Sequence, residues 1–159
     1  MLTTIAGIPA HVLIIHAAVV FVPLLAVAAI LYALVPRFRT YIGWAAVLLA
    51  IGGPLVAFLA RQSGQNFKAR LVAQGAPADF VAKIDKHQGY GDRTFWLSLG
   101  LGVFTLLLVA LTLRGRRVST WVTAVVGVVV IGLAVATGIY VFLTGDSGAH
   151  TVWDGALTG

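Results

Sequence analysis

The sequence has 159 residues, of which 60% are apolar and only 10% are charged. A soluble domain of this size carries about a quarter charged residues because its surface must face water, so much of this surface must face lipid. The 11 basic residues exceed the five acidic ones, but they fall in short clusters between apolar runs, which is typical of a membrane topology signal rather than of nucleic-acid binding. The absence of cysteine excludes disulfides, thiolate metal ligands and a cysteine nucleophile.

Four apolar stretches are long enough to cross a bilayer, which takes about 20 helical residues. We predict spans at about 9–35, 41–60, 94–113 and 119–143, none of which contains Lys, Arg, Asp or Glu. Backbone groups in lipid must be hydrogen-bonded within their own segment, so the spans are predicted to be helices. The expected fold is all-α, a single transmembrane domain built as an up-down four-helix bundle.

The orientation signal lies in two short links. Arg37 and Arg39 lie between spans one and two, and three arginines lie within 114–118, between spans three and four. Neither link contains an acidic residue, so the positive-inside rule places both in the cytoplasm. The loop 61–93 holds six basic residues as well, but they are diluted over about thirty positions and partly offset by three aspartates. Both termini are therefore predicted to be extracytoplasmic.

Proline and glycine interrupt several of the spans. Pro23 and Pro54 lie inside spans one and two, where they are expected to kink or loosen the helix. Gly100 and Gly102 lie in span three, and small residues let helices approach closely in lipid. Tight helix packing is the expectation at these glycines, and room for a flat cofactor is the alternative.

The loop between spans two and three has the pattern of a short extracytoplasmic helical hairpin. Its start and stop signals are Ser63 and Gly75 for a helix at about 63–74, and Pro77 and Gly89 for a helix at about 77–88. Phe80, Ile84 and His87 follow one another at helical spacing and share one face of the second helix. We expect that face to turn toward the bundle.

The four histidines are the candidate site residues. His11 and His16 open span one, His87 precedes span three and His150 follows span four, so up-down connectivity brings all four to one end. His11 and His16 lie about 140° apart around a helix, which does not favour binding of one ion by both. His16 lies inside the span, where an unpaired polar group is costly. We predict that His16 belongs to a buried site with His150 or His87, and that His11 makes a contact at the surface or with residues around that site.

Three segments of the sequence are distinctive. They are the Gly-x-Pro-x-His-x-x-x-x-His opening at 7–16, the run His87-Gln88-Gly89-Tyr90-Gly91-Asp92, and the run Thr144-Gly145-Asp146-Ser147-Gly148. Together they resemble the bacterial membrane proteins catalogued as domain of unknown function 2231, over nearly the whole chain. The family's usual proline after the first histidine and Phe-Pro after the second are replaced here by Val12 and Ala17-Ala18. The resemblance implies a multi-pass protein of the bacterial inner membrane, and family members fused to haem-carrying domains imply a redox role.

Three interpretations of these features compete. In the first, the bundle binds haem b or a transition-metal ion for electron transfer, because four-helix bundles hold such groups between facing helices and neutral imidazole suits them. The ligands would come from His16, His87 and His150, with His11 nearby and Arg61 or Arg93 meeting haem propionates. In the second, the protein is a non-catalytic structural or accessory subunit of a larger membrane complex, and its histidines lock helices to loops. In the third, the histidines relay a proton or a small solute.

A hydrolytic enzyme is not indicated, because no nucleophile elbow surrounds Ser63 or Ser147. The expected partners are the lipid bilayer and other membrane or redox subunits, with no nucleic acid among them.

Overall fold

The computed structural model describes the backbone of residues 4–5, 8–113 and 118–153 and the side chains of 13–113 and 118–150. Two short strands, β1 and β2, pair in antiparallel fashion before the first helix, and a 3-10 turn joins the first two helices. The bounds are β1 Thr4–Ile5, β2 Ile8–Pro9, α1 Ala10–Leu34, the 3-10 turn Pro36–Phe38, α2 Arg39–Ala73, α3 Ala78–Thr112 and α4 Thr120–Trp153.

The four helices form the predicted up-down membrane bundle. Each is long and apolar enough to cross a membrane. α1 and α3 each pack against α2 and α4, so every helix has two neighbours and lies diagonal to the remaining one. Large apolar side chains such as Val128, which is 68% exposed, cover the outer surface where lipid lies. At one end of the bundle Tyr41, Trp44 and Trp121 are also exposed, as expected of an aromatic belt at the membrane surface.

The helices are longer than the predicted spans, and the separate short helices predicted at 63–74 and 77–88 are wrong as independent elements. α2 and α3 have 35 residues each, about 52 Å at 1.5 Å per residue, against a hydrocarbon core of about 30 Å. Both therefore run on without a break as an antiparallel hairpin joined by four residues. We call this end of the bundle the hairpin end, and the opposite end, where α1 meets α2 and α3 meets α4, the link end.

The turn of the hairpin was correctly located by its glycine and proline. Gly75 has φ +78°, and the amides of Gly75 and Ala76 bond to the carbonyls of Val72 and Leu71 in the Schellman pattern that ends helices. Pro77 then precedes the first turn of α3. Ser63, however, starts no helix, because it lies inside α2 and its hydroxyl donates to the carbonyl of Ala60 at 2.9 Å. Gly89 likewise lies inside α3.

Helix α4 also extends past its predicted end at residue 143 and continues to Trp153. The additional turns bring Thr144, Ser147 and Gly148 onto a helix that packs along α3. Polar residues that the hydropathy pattern assigns to a tail are therefore held in fixed positions at the hairpin end.

The core of the bundle is made of small and branched apolar side chains. Its buried members include Leu25, Ala29, Ala50, Leu101, Leu108 and Val130. A second buried cluster, consisting of Val22, Ala57 and Phe95, lies toward the hairpin end. Alanine and glycine at the crossings let the helix backbones approach closely, which is how helices associate in lipid, where hydrophobic burial contributes little.

Candidate functional site

The hairpin end contains a hydrogen-bonded chain from α3 to α4 that begins at His87. The Nδ1 atom of His87 lies 3.1 Å from the Ser147 hydroxyl oxygen, and that hydroxyl donates to the carbonyl of Thr144 at 3.0 Å. Because the hydroxyl has one proton and gives it to the carbonyl, it accepts from His87, which places a proton on Nδ1. In this arrangement Ser147 accepts a hydrogen bond from His87 and does not donate one to it.

The imidazole of His87 reaches α4 because residue 148 is a glycine. A Cβ atom at Gly148 would lie 3.0 Å from the Cε1 atom of His87. His87 precedes the uncharged membrane-spanning part of α3, which begins at Thr94. Burial lowers the pKa of His87, while its hydrogen bond to the Thr144 backbone acts in the opposite direction. The expected inward orientation of His87 is confirmed, and burial favours the neutral form of the side chain.

Deeper in the bundle, about two turns along α3 and one turn along α4, two threonines connect the same helices. The hydroxyl oxygens of Thr94 on α3 and Thr144 on α4 lie 3.0 Å apart. One hydroxyl donates to the other across the helix contact, and the accepting hydroxyl donates to the carbonyl four residues earlier in its own helix, that of Tyr90 or Tyr140. The α3–α4 contact is thus joined at two successive levels, by His87 with Ser147 and by Thr94 with Thr144.

Ion pairs connect α2 to α3 at the same end. The Nε atom of Arg61 lies 2.7 Å from Oδ1 of Asp92, and its guanidinium lies 5.9 Å from the ring centre of Phe95. Closer to the turn, Lys68 pairs with Asp85. Arg61 therefore meets a carboxylate of its own chain, which leaves Arg93 as the more accessible of the two arginines predicted to meet an acidic ligand.

Arg93 and two half-buried tyrosines form a cluster on the α3–α4 side. The guanidinium of Arg93 lies 5.7 Å from the ring centre of Tyr140, and the Tyr140 ring centre lies 6.3 Å from that of Tyr90. Arg93 is exposed and is the last charged residue before the uncharged segment of α3.

The prediction that His16 is buried is wrong for the single chain, because its side chain is exposed. The buried face of α1 runs through Val22, Leu25 and Ala29. Helical spacing extends that buried face toward the start of α1, to residues 18 and 15. His16 lies about 100° around the helix from residue 15 and therefore points away from the bundle.

The remaining histidines differ in their surroundings. His150 is exposed, and its Nε2 atom lies 3.7 Å from Asp146 on the same helix. The side chain of His11 lies outside the described residues. Among the residues that the structure describes, no three histidine or acidic side chains are grouped so as to hold a metal ion.

Sequence reasoning missed Thr94, Thr144 and Gly148 as partners at this end, and the buried Thr105 in the middle of α3. Within the described residues, Thr105 has the one buried side-chain oxygen or nitrogen without a hydrogen-bond partner. Thr144, Ser147 and Gly148 are three and four residues apart, the spacing of one helix face. This spacing would have indicated a face that packs on α3 if α4 had been predicted to continue past residue 143.

A family model described as "Predicted membrane protein (DUF2231)" matches residues 7–158. No curated protein and no solved structure matches the chain. The family model covers nearly all of the 159 residues, including the segments that carry His16, His87 and His150. The chain belongs to the DUF2231 family of predicted membrane proteins.

Proposed function

We propose that this protein is a non-catalytic accessory subunit of a larger membrane complex. The observation that supports the proposal is the exposure of His16 on α1, inside the candidate span Leu13–Leu34. That segment contains no Lys, Arg, Asp or Glu, so the imidazole belongs to a surface that otherwise faces acyl chains. Ionisable side chains inside spans almost always face protein or water rather than lipid. A helix of another subunit packed on this face of α1 places His16 inside protein.

The hairpin end supports the same role. Arg61 with Asp92 and Lys68 with Asp85 join α2 to α3, and His87 with Ser147 joins α3 to α4. In these contacts polar side chains, among them His87, fix the helices against one another. An accessory subunit uses its histidines in this structural way. In the orientation that the basic links predict, the hairpin projects on the extracytoplasmic side of a bacterial inner membrane, and that orientation stays a prediction.

Electron transfer through haem b or a metal ion stays a separate prediction, which the described residues do not favour. His16 is exposed, Nδ1 of His87 is engaged by Ser147, and His150 is exposed beside Asp146. We therefore expect the visible spectrum of the purified protein to show no haem band and elemental analysis to show no stoichiometric transition metal. A haem band that disappears in a folded His16→Ala variant would reverse this preference.

The accessory role can be tested by crosslinking in native membranes. The chain has no cysteine, so a photoreactive maleimide attached to a Leu13→Cys variant marks a single position. Leu13 is 44% exposed and lies one turn from His16 on α1. We expect light to join this position to another polypeptide, identified by mass spectrometry, and we expect the product to disappear when His16→Leu is added.

A matched control is Trp96→Cys on α3, the helix diagonal to α1. Trp96 is 62% exposed and lies close to the hairpin end of its span. A probe at this position is therefore about as accessible to lipid as one at Leu13, but it lies on the opposite face of the bundle. Equal crosslinking from both positions would indicate random collisions in the membrane. Labelling of lipid alone at Leu13 would contradict a subunit interface there.

A further inference from the structure

Two open grooves lie side by side on the α3–α4 surface of the hairpin end. The first, of about 240 Å³, is lined by Lys86, Tyr90 and Arg93 among others. The second, of about 280 Å³, shares Lys86 and Tyr90 and adds Lys83 and Leu143. We call the surface formed by Lys83, Lys86, Tyr90 and Arg93 the basic groove. Its four residues are spaced by three, four and three positions along α3, so they form one stripe.

The basic groove has an excess of positive charge. Asp85 lines the first groove but pairs with Lys68 of α2, and Asp146 lines the second beside His150. Among the ion pairs of the described residues, none engages Lys86 or Arg93. Two cations therefore face solvent side by side, and no carboxylate of the described residues pairs with either of them.

The position of the groove along α3 matches the height of lipid headgroups. Arg93 is followed directly by Thr94, where the uncharged segment begins, so the groove lies just outside the hydrocarbon core. Tyr90 and Tyr140 lie at the same level with their rings 6.3 Å apart, and amphipathic rings are enriched at membrane interfaces. The apolar side chain of Leu143 borders the groove on the membrane side.

We propose that the basic groove binds the phosphate of an anionic phospholipid from the leaflet at the hairpin end. Arg93 offers a planar fork of donors that suits two phosphate oxygens, and Lys86 adds a second point charge. The Tyr140 ring below the guanidinium holds the fork in place before lipid arrives. The Tyr90 hydroxyl is a third donor, and acyl chains continue down past Leu143. This site is independent of the accessory role proposed through His16.

The proposal can be tested with the full-length protein in a neutral detergent, using native mass spectrometry to follow binding of dioleoyl phosphatidylglycerol. We expect binding to exceed that of dioleoyl phosphatidylcholine, whose phosphate is offset by a cationic group. Lys86→Gln and Arg93→Gln are each expected to weaken binding about fivefold, the effect of one basic residue near an anionic surface. Arg93→Lys keeps the charge but loses the planar fork, so it is expected to weaken binding, though less than Arg93→Gln does.

The matched control is Arg70→Gln, which removes the same charge from an exposed position in the last turn of α2. Unchanged lipid binding in this variant supports a site, whereas equal weakening in all three glutamine variants would show unspecific charge attraction and overturn the proposal. Equal affinity for the two lipids would overturn it as well. Displacement of the lipid by low millimolar inorganic phosphate would show that free phosphate, and not a lipid, is the ligand.

Discussion

Replacement of Gly102 by alanine is expected to lower the free energy of unfolding by about 3 kcal/mol, at the upper end of the usual cost of overpacking a core. A Cβ atom at this position would lie 2.4 Å from the carbonyl oxygen of Ala50 and 3.1 Å from Cγ of Pro54. The nearest atom belongs to a helix backbone, which cannot move aside as the tip of a flexible side chain does. α2 and α3 would have to separate at their crossing.

Pro54 explains why the two backbones meet here. Proline has no N–H group, so the carbonyl four residues earlier, that of Ala50, loses its helical hydrogen bond. In lipid, a carbonyl without a hydrogen-bond partner raises the free energy of the folded protein. The hydrogen on Gly102 that occupies the direction of the missing Cβ points at this oxygen, and Cα–H donors of this kind recur between closely packed helices. An alanine at position 102 would therefore clash with the Ala50 carbonyl and would also remove the Cα–H group that contacts it.

Gly100→Ala is the matched control for this substitution. It adds the same methyl group two residues away on α3, where the new Cβ would lie 3.8 Å from Cδ2 of Leu133, an ordinary contact. Alanine also has the higher helix propensity, so we expect unchanged or slightly higher stability. Unfolding of both variants by sodium dodecyl sulfate in mixed micelles gives the comparison, and similar midpoints for Gly100→Ala and Gly102→Ala would contradict the close crossing.

The fold was predictable because lipid imposes a strong pattern on the sequence. Four uncharged stretches can only be helices, and short links require neighbouring helices to be antiparallel. The helix ends were less predictable, because hydropathy detects the membrane boundary and not the end of the helix. Between residues 61 and 93 the only breaks strong enough to stop a helix are Gly75 and Pro77, and both helices run up to them.

Side-chain orientation was predictable only where a helix leaves lipid. His87 lies in an amphipathic part of α3, where Phe80 and Ile84 identify the inward face, and the prediction for His87 was correct. α1 is apolar on every side, so its sequence does not distinguish the face toward α2 and α4 from the face toward lipid. The sequence therefore predicted the depth of His16 in the span, but it could not predict the direction in which the side chain points.

Substitution of Arg39 by alanine is expected to destabilise the link end by about 2 kcal/mol, within the usual range for hydrogen bonds to a charged group. The guanidinium of Arg39 donates to the carbonyls of Tyr32 at 2.9 Å and Ala33 at 3.3 Å. Both are among the last four carbonyls of α1, which have no partner within the helix. A cation at a helix C-terminus is also favoured by the helix dipole.

Arg39 further stabilises a contact among three helices. Its guanidinium lies 5.5 Å from the ring centre of Tyr32, and the hydroxyl of Tyr32 lies 2.8 Å from the Thr112 hydroxyl of α3. Thr112 donates its own proton to the carbonyl of Leu108 or Val109, so Tyr32 donates to Thr112. Loss of Arg39 removes the group that holds Tyr32 at the junction of α1, α2 and α3.

Arg37→Ala separates this role from the contribution of charge to topology. Arg37 lies in the same link and carries the same charge, but its side chain is exposed and its guanidinium lies over the ring of its neighbour Phe38, at 5.3 Å from the ring centre. Each variant leaves one arginine in the link, so the effect on orientation is matched. We expect Arg37→Ala to change the free energy of unfolding by less than about 0.5 kcal/mol, as is usual for surface substitutions. Equal loss of stability in the two variants would mean that the link acts through its charge, and that the bonds from Arg39 to α1 contribute little.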